Sequence, residues 1–194
     1  ELAVLPEYFA AMGHRDQDKL AHAEALGSGP VQDFLADAAR TLGLWIVGGT
    51  LPLRTGDGTR VTNSSLAFAP TGERVARYDK IHLFQFDNGR ERYEEARVVA
   101  AGRQPVTLDI GARDGSLWRV GLSVCYDLRF PELYRALSQA GADLLLVPSA
   151  FTYTTGQAHW ELLLRARAIE NLAYVLAPAQ GGQHENGRRT WGHS

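Results

Sequence analysis

Alternating strand-like and helix-like segments predict a layered α/β domain along most of the sequence. Short apolar runs of strand length alternate with stretches in which apolar residues recur at helical spacing. The 194 residues are 45% hydrophobic and 22% charged, which is ordinary for a chain with a buried core and excludes a disordered one. We expect a single domain over residues 1–194, because no repeat, linker or low-complexity tract interrupts the pattern.

The first half of the chain predicts two buried strands, one helix and one β-hairpin. Pro6 ends the first apolar run, Gly43 ends the helical spacing, and a Pro-Thr-Gly-Glu turn joins the two arms of the hairpin. In chain order, these elements are a strand at residues 2–6, a helix at 31–43, a strand at 44–49, and hairpin arms at 64–68 and 74–78.

The second half continues the alternation after a charged stretch. Residues 85–103 predict an irregular surface loop, because charged side chains interrupt any period. Pro131 near a first turn and Gly141 after the last one mark the ends of a helix. The elements after the loop are a strand at residues 118–125, a helix at 131–140, a strand at 143–148, a helix at 158–171 and a strand at 172–177.

The net charge, the length of the apolar runs and the number of cysteines bear on the binding partners and the cellular compartment of the protein. A net charge of -2 gives no overall attraction to nucleic acid, and no apolar run reaches the roughly 18 residues of a membrane-spanning helix. The single cysteine excludes a disulfide within the chain and predicts a reducing, cytoplasmic location. Because the sequence starts at Glu1 within an apolar stretch, we expect it to be a segment of a longer protein.

Cys125 is the first candidate for chemistry, because it ends a predicted strand just before a helix. A thiol at such a turn faces the positive end of the helix dipole, which favours the thiolate. The alternative is a buried cysteine that packs as a small apolar side chain.

Lys80 and Glu7 are the second and third candidates, since each follows a predicted strand. The chain has 18 arginines and only two lysines, so each lysine invites a role that a guanidinium cannot fill. Strand ends converge in a layered sheet, where a thiol, a carboxylate and an ammonium supply nucleophile, base and oxyanion stabiliser for acyl transfer. Taken singly, Lys80 could instead pair with Asp79, and Glu7 could be an exposed loop residue.

Three sequence blocks resemble the signature blocks of the nitrilase superfamily of carbon–nitrogen hydrolases. They are Leu5-Pro6-Glu7, the stretch from Tyr78 to Phe84, and the stretch from Val124 to Leu133. The stretches 155–161, 165–170 and 191–194 extend the resemblance. It implies a four-layer αββα sandwich, incomplete at both ends here, with a Glu7–Lys80–Cys125 triad. It also implies a homodimer or higher homo-oligomer that acts on a small-molecule amide with no metal or other cofactor.

The resemblance extends to supporting residues. Glu95 matches a second glutamate between the Lys and Cys blocks, although Glu94 leaves the register open; the alternative is a solvated acidic loop. The backbone N–H of Tyr126 is expected to stabilise the oxyanion. Arg129 could bind a substrate carboxylate or instead pair with Glu132 or Asp127. Phe151 and Thr155 are expected to line the substrate pocket, with loop packing as the alternative.

The blocks look most similar to the Nit-type amidases, which include deaminated glutathione amidase and ω-amidase. The stretch from Ala179 to His184 is more similar to the former. The expected reaction is hydrolysis of a 2-oxo acid amide through a cysteine thioester. Alternatives are ω-amidase activity on 2-oxoglutaramate, another carbon–nitrogen hydrolase specificity, and a catalytically inactive scaffold or signalling member of the fold.

Overall fold

The computed structural model describes residues 1–89 and 92–194. The strands are β1 Leu2–Val4, β2 Trp45–Val47, β3 Leu51–Arg54, β4 Val61–Phe68, β5 Arg74–Asp79, β6 Gln85–Asp87, β7 Arg92–Glu94, β8 Val106–Gly111, β9 Leu117–Leu122, β10 Leu144–Leu146, β11 Tyr174–Leu176, β12 Gly181–Gln183 and β13 Arg189–Trp191. The α-helices are α1 Asp18–Ala21, α2 Pro30–Leu42, α3 Pro131–Gln139 and α4 Tyr153–Asn171. Two 3₁₀ turns lie at Glu95–Arg97 and Cys125–Arg129.

The first sheet has the order β1-β2-β4-β3, with β5 also paired to β4. Strands β1 and β2 are parallel, whereas β4 is antiparallel to its neighbours. Helix α2 covers the outer face, where its Leu35 and Ala39 pack with Ile46, Leu66 and Phe68 of the sheet. Gly43 ends α2 in the left-handed conformation (φ 61°), as the sequence predicts.

The second sheet has the order β11-β10-β9-β8. Strands β9, β10 and β11 are parallel, and β8 is antiparallel to β9. Helices α3 and α4 pack beside this sheet, and their buried Leu133, Leu137 and Trp160 belong to its core. Parallel strands need crossovers, and α3 and α4 supply them.

The two sheets stack through a common apolar core. Val47 and Tyr78 from the first sheet join Val120, Leu122 and Leu145 from the second in one buried cluster. With α2 on one outer face and α3 and α4 on the other, the layers run helix, sheet, sheet, helix. The predicted α/β class and its αββα layering are confirmed.

The structure corrects the prediction for the loop at residues 85–103. Strands β6 and β7 form a hairpin there, and Val98 and Val99 are buried with Val61. The charged side chains hid these short elements, because most of them point outward while a few apolar residues turn in. Residues 90 and 91 of the predicted loop lie outside the described residues.

Several further elements differ from the prediction, and the short helix α1 is one of them. Strands β3 and β8 and the hairpin of β12 and β13 are additional, and α4 begins at Tyr153, five residues before its predicted start. Strand β3 contains Pro52 and lies at the edge of its sheet, which is where a residue without an N–H is tolerated. Within the described residues, the structure contains no helix long and apolar enough to cross a membrane.

Candidate active site

An open cavity lies where β1, β5, β9 and β10 end. Six of the residues predicted from the sequence line it, namely Glu7, Lys80, Glu95, Cys125, Phe151 and Thr155. Tyr126 is also in the lining, as its backbone role requires. The structure thus brings together the ends of strands from both sheets, as expected for ligand sites in layered α/β folds.

Glu7 is held in place by donors from three parts of the chain. Its Oε1 accepts hydrogen bonds from Lys80 Nζ at 3.0 Å and from Asn63 Nδ2 at 2.9 Å. Its Oε2 accepts one from the backbone N–H of Ala150 at 2.9 Å. The residue is 1% exposed, so this carboxylate keeps one geometry beside the cavity.

Lys80 lies between two carboxylates at the end of β5. Its Nζ is 3.0 Å from Glu7 Oε1 and 2.8 Å from Glu95 Oε2. Burial alone would lower the pKa of this ammonium, but Glu7 and Glu95 raise the pKa above its ordinary value. Lys80 therefore stays a cation at any working pH, suited to stabilise an oxyanion.

The backbone on both sides of Lys80 is fixed by close approach of the chain. Its N–H donates to Asn63 O at 2.9 Å, and its carbonyl accepts from Gly102 N at 2.8 Å. A Cβ at Gly102 would collide with the Asp79 carbonyl, so only glycine lets this strand approach.

Cys125 occupies a strained turn between β9 and α3. Its φ of 50° lies in the left-handed region, which is costly for a residue with a Cβ and recurs at nucleophile turns between strand and helix. Its N–H donates to Pro148 O at 3.0 Å, which fixes the turn to the loop after β10.

The predicted thiolate at Cys125 is wrong for the resting state. Burial raises the pKa of the thiol, and the neighbouring Glu7 carboxylate raises it further. The 3₁₀ turn Cys125–Arg129 lies along the chain between the cysteine and the start of α3 at Pro131. The thiol is protonated near neutral pH and needs a base in order to react.

Glu95, rather than Glu94, is the glutamate inside the cluster. Its carboxylate accepts from Lys80 Nζ, from the Phe84 N–H at 2.7 Å and from the Tyr8 hydroxyl at 3.1 Å. Burial tends to raise the pKa of Glu95, but Lys80 and the other donors bring it below the ordinary value. Glu94 also lines the cavity, but its Oε2 lies 3.5 Å from Arg92 Nη2 instead of contacting Lys80.

Arg129 is the predicted site residue that the structure does not bring into the lining. Its guanidinium lies 5.4 Å from the Phe151 ring centre and 3.3 Å from His159 Nδ1, so aromatic faces hold it outside the cavity wall. Within the described residues, no ion pair joins it to Glu132 or Asp127 either. Its binding of a substrate carboxylate stays a prediction.

Several lining residues were missed by the sequence analysis. They are Tyr8, Asp16, Lys19, Phe84, Tyr93, Ala150, Thr152 and Arg188. Lys19 is the second of the two lysines, so the scarcity that singled out Lys80 was a signal for it too. Asn63 also contacts Glu7 and Glu95 from the middle of β4, where nothing in the sequence distinguishes it from a solvent-facing strand residue.

A second buried carboxylate, Asp127, lies next to Cys125 along the chain but outside the cavity lining. It accepts hydrogen bonds from Tyr78 Oη at 2.7 Å, from the His82 N–H at 3.0 Å and from the Val124 N–H at 2.9 Å. His82 Nδ1 is also 2.7 Å from it. Asp127 thus joins the Lys80 segment to the turn that carries the cysteine.

Comparison with known proteins shows to which family the chain belongs. Residues 1–194 match the carbon-nitrogen hydrolase family. The chain belongs to this family. A solved relative of this carbon-nitrogen hydrolase is the Caenorhabditis elegans NitFhit protein, which has a TM-score of 0.87 and 39% identity over 100% of this chain and 46% of that one. An amidase from Nesterenkonia sp. AN1, with acrylamide added at its active-site cysteine, has a TM-score of 0.80 at 28% identity over 97% of this chain and 68% of that chain.

Curated relatives carry amidase names. Deaminated glutathione amidase of Yersinia enterocolitica is 46% identical over 89% of this chain, which covers 60% of that protein. The enzyme of the same name from Synechocystis is 43% identical over the whole chain and 70% of its own length. The chloroplastic omega-amidase of Arabidopsis thaliana is 36% identical over the whole chain and 52% of its own length. The chain therefore spans 52% to 70% of the length of these relatives.

Proposed function

We propose that this carbon-nitrogen hydrolase is an amidase that hydrolyses a small carboxylate-bearing amide, such as a 2-oxo acid amide, through a cysteine thioester. The observation that carries the proposal is the position of the Glu7 carboxylate, which is bonded to Lys80 and lies beside the buried Cys125 thiol in an open cavity. The names of the amidase relatives support the reaction class and the 2-oxo acid substrate.

The first half of the reaction forms the thioester. Glu7 takes the thiol proton while the Cys125 sulfur attacks the amide carbon, and the carbonyl oxygen becomes an oxyanion. Lys80 Nζ and the Tyr126 backbone N–H stabilise that oxygen. The C–N bond then breaks, and the leaving amine takes the proton that Glu7 holds.

The second half regenerates the enzyme. Glu7 accepts a proton from a water molecule, whose oxygen attacks the thioester carbon. The carboxylic acid leaves as the C–S bond breaks, and the sulfur recovers a proton from Glu7. Glu95 keeps Lys80 in place through both halves, because its carboxylate forms a second ion pair with Nζ beside that of Glu7.

The test is release of ammonia or an amine by the full-length protein from a panel of amides. The panel holds deaminated glutathione, 2-oxoglutaramate, simple aliphatic amides and N-carbamoyl amino acids. We expect release from at least one of the 2-oxo acid amides and none by Cys125→Ala. A protein that releases nothing from the panel, and whose Cys125 does not react with thiol reagents, would be the inactive scaffold instead.

We also propose a cytoplasmic homodimer or higher homo-oligomer. Apolar side chains on α4 and β11 support the assembly, since Ile169 and Tyr174 are 74% and 70% exposed. Light scattering coupled to size exclusion of the full-length protein tests this, and a monomer at micromolar concentration would contradict it.

A further inference from the structure

Arg188, just before β13, places a guanidinium in the lining of the cavity without an acidic partner. Within residues 1–89 and 92–194, no carboxylate lies in ion-pair contact with it. Its Nε is buried and has no hydrogen-bond partner. Its Nη2 donates to the Ala150 carbonyl at 2.8 Å, which leaves the guanidinium fork only partly satisfied.

Among the described residues, the other two cations of the lining are paired. Lys80 is held between two carboxylates, and Lys19 Nζ lies 2.7 Å from Asp16 Oδ1. A buried N–H donor without an acceptor costs free energy, so an unsatisfied guanidinium at a cavity wall is a site prepared for an anion. Carboxylates match its planar fork with two parallel hydrogen bonds.

Ala150 fixes Arg188 at a short distance from the reacting groups. The N–H of Ala150 donates to Glu7 Oε2, and the carbonyl of the same residue accepts from Arg188 Nη2. The ring of Tyr93, 5.3 Å from the guanidinium carbon, covers one face of the cation. Cys125 and Arg188 line the same cavity, so a substrate whose amide lies at Cys125 shares that cavity with the guanidinium.

We propose that Arg188 binds the carboxylate of the substrate and thereby selects carboxylate-bearing amides over neutral amides of the same length. The inference rests on the proposed amidase function. It names the residue that recognises the carboxylate of that substrate class. Arg188 belongs to the lining of the cavity, whereas Arg129 lies outside it, with its guanidinium 5.4 Å from the Phe151 ring centre.

The decisive experiment compares two amides that differ only in the distant group, glutaramate with a carboxylate and pentanamide with a methyl group. For Arg188→Gln in the full-length enzyme, we expect kcat/KM for glutaramate to fall about 10- to 100-fold and kcat/KM for pentanamide to change by less than about threefold. Arg188→Lys, which keeps the charge and loses the fork, should lie between. Equal losses on both amides would overturn the proposal.

The neighbouring arginine supplies the matched control. Arg189 is exposed, and its guanidinium lies over the Tyr153 ring at 3.5 Å, outside the cavity lining. Arg189→Gln should leave both kcat/KM values within about twofold of the wild type. A glutaramate-selective loss in Arg189→Gln equal to that in Arg188→Gln would contradict a specific contact.

A binding measurement separates this inference from the proposed reaction. In the Cys125→Ala background, calorimetry should show glutaramate bound about tenfold or more weakly after Arg188→Gln and unchanged after Arg189→Gln. Undiminished binding by Arg188→Gln would overturn the role of Arg188, whatever the turnover. Absent turnover of every amide with Arg188-dependent binding would instead overturn the amidase reaction and leave the carboxylate site standing.

Discussion

Two clusters of buried polar and charged side chains lie near the cysteine turn. They differ in whether they border the cavity. The Lys80 cluster consists of Lys80, Glu7 and Glu95, and it borders the cavity. The Asp127 cluster consists of Asp127, Tyr78 and His82 and is closed off from the cavity. Both satisfy their carboxylates with several donors.

The difference shows that burial of polar groups does not by itself mark a reactive site. In the Asp127 cluster every donor serves one carboxylate, and the result fixes the turn from Val124 onward. In the Lys80 cluster two carboxylates share one ammonium next to a protonated thiol, so the thiol proton can move to the Glu7 carboxylate. We therefore expect changes in the first cluster to affect stability and changes in the second to affect rate.

The largest expected effect is at the thiol itself. Cys125→Ala removes the nucleophile, so turnover of every substrate should fall to background while the melting temperature stays within a few degrees of the wild type. Steady-state assays and a melting curve measure the two. Mass spectrometry of the wild type should find the acyl adduct on Cys125, and full activity of the alanine variant would remove the residue from the mechanism.

The next largest effect is expected for Lys80→Arg. The variant keeps the charge but replaces a compact ammonium with a wide planar group between two carboxylates, so kcat should fall about 100-fold or more. Lys19→Arg is the matched comparison, because the exposed Asp16 can accept a guanidinium there, and its loss should be far smaller. Near-normal kcat in Lys80→Arg would return Lys80 to an ion-pair role.

Asp127→Ala probes the closed cluster. The change leaves the Tyr78 hydroxyl and the Val124 N–H buried without an acceptor, so the free energy of unfolding should fall by about 2–4 kcal/mol. Urea denaturation measures it. If the variant instead kept its stability and lost only kcat, the distinction between the two clusters would be wrong.

A smaller effect, on acid stability, distinguishes Glu95. Its pKa in the folded protein lies below the ordinary 4.5, so its contribution to stability is present above pH 4.5 and is lost as pH falls through the lowered value. The wild type should therefore lose stability more steeply below pH 4.5 than Glu95→Gln does. Parallel curves of unfolding free energy against pH for the two proteins would contradict the shift.

The smallest effect is expected for Arg129→Ala. Its guanidinium contacts Phe151, Tyr126 and His159 from outside the cavity wall, so kcat/KM should fall less than about threefold for glutaramate and pentanamide alike. The measurement is the same pair of assays used for Arg188. A loss above tenfold confined to glutaramate would show that Arg129 also binds the carboxylate.

The apolar elements were predictable from the sequence. Apolar residues that recur every two or every 3.6 residues lie on one face of a strand or a helix, and that face is buried in the structure. The helices α2 and α3 and the strands β9 and β10 begin and end within a few residues of their predicted bounds. Strand β3 was not predictable, since Pro52 is a signal against a strand and only its edge position permits it.

The candidate site was predictable where a residue type was rare or its strand end was clear. The sole cysteine, one scarce lysine and Glu7, which follows a Pro-ended strand, met these conditions, and the resemblance then joined them in a triad. Arg188 had no such signal, because it is one of 18 arginines in the sequence. What distinguishes it is a buried Nε without a hydrogen-bond acceptor, and only the three-dimensional structure shows this. The charged stretch around Glu95 likewise concealed which glutamate turns inward.

The contacts of Ala150 have a consequence for how this site can change by mutation. Its peptide group holds Glu7 with the N–H and Arg188 with the carbonyl, and every residue except proline supplies both. The link is therefore indifferent to which side chain is encoded there, apart from the space allowed at a fully buried position. Insertion or deletion of one residue in the loop after β10 would shift the Ala150 nitrogen and oxygen at once. The length of that loop therefore constrains the evolution of the site more tightly than the identity of its residues does.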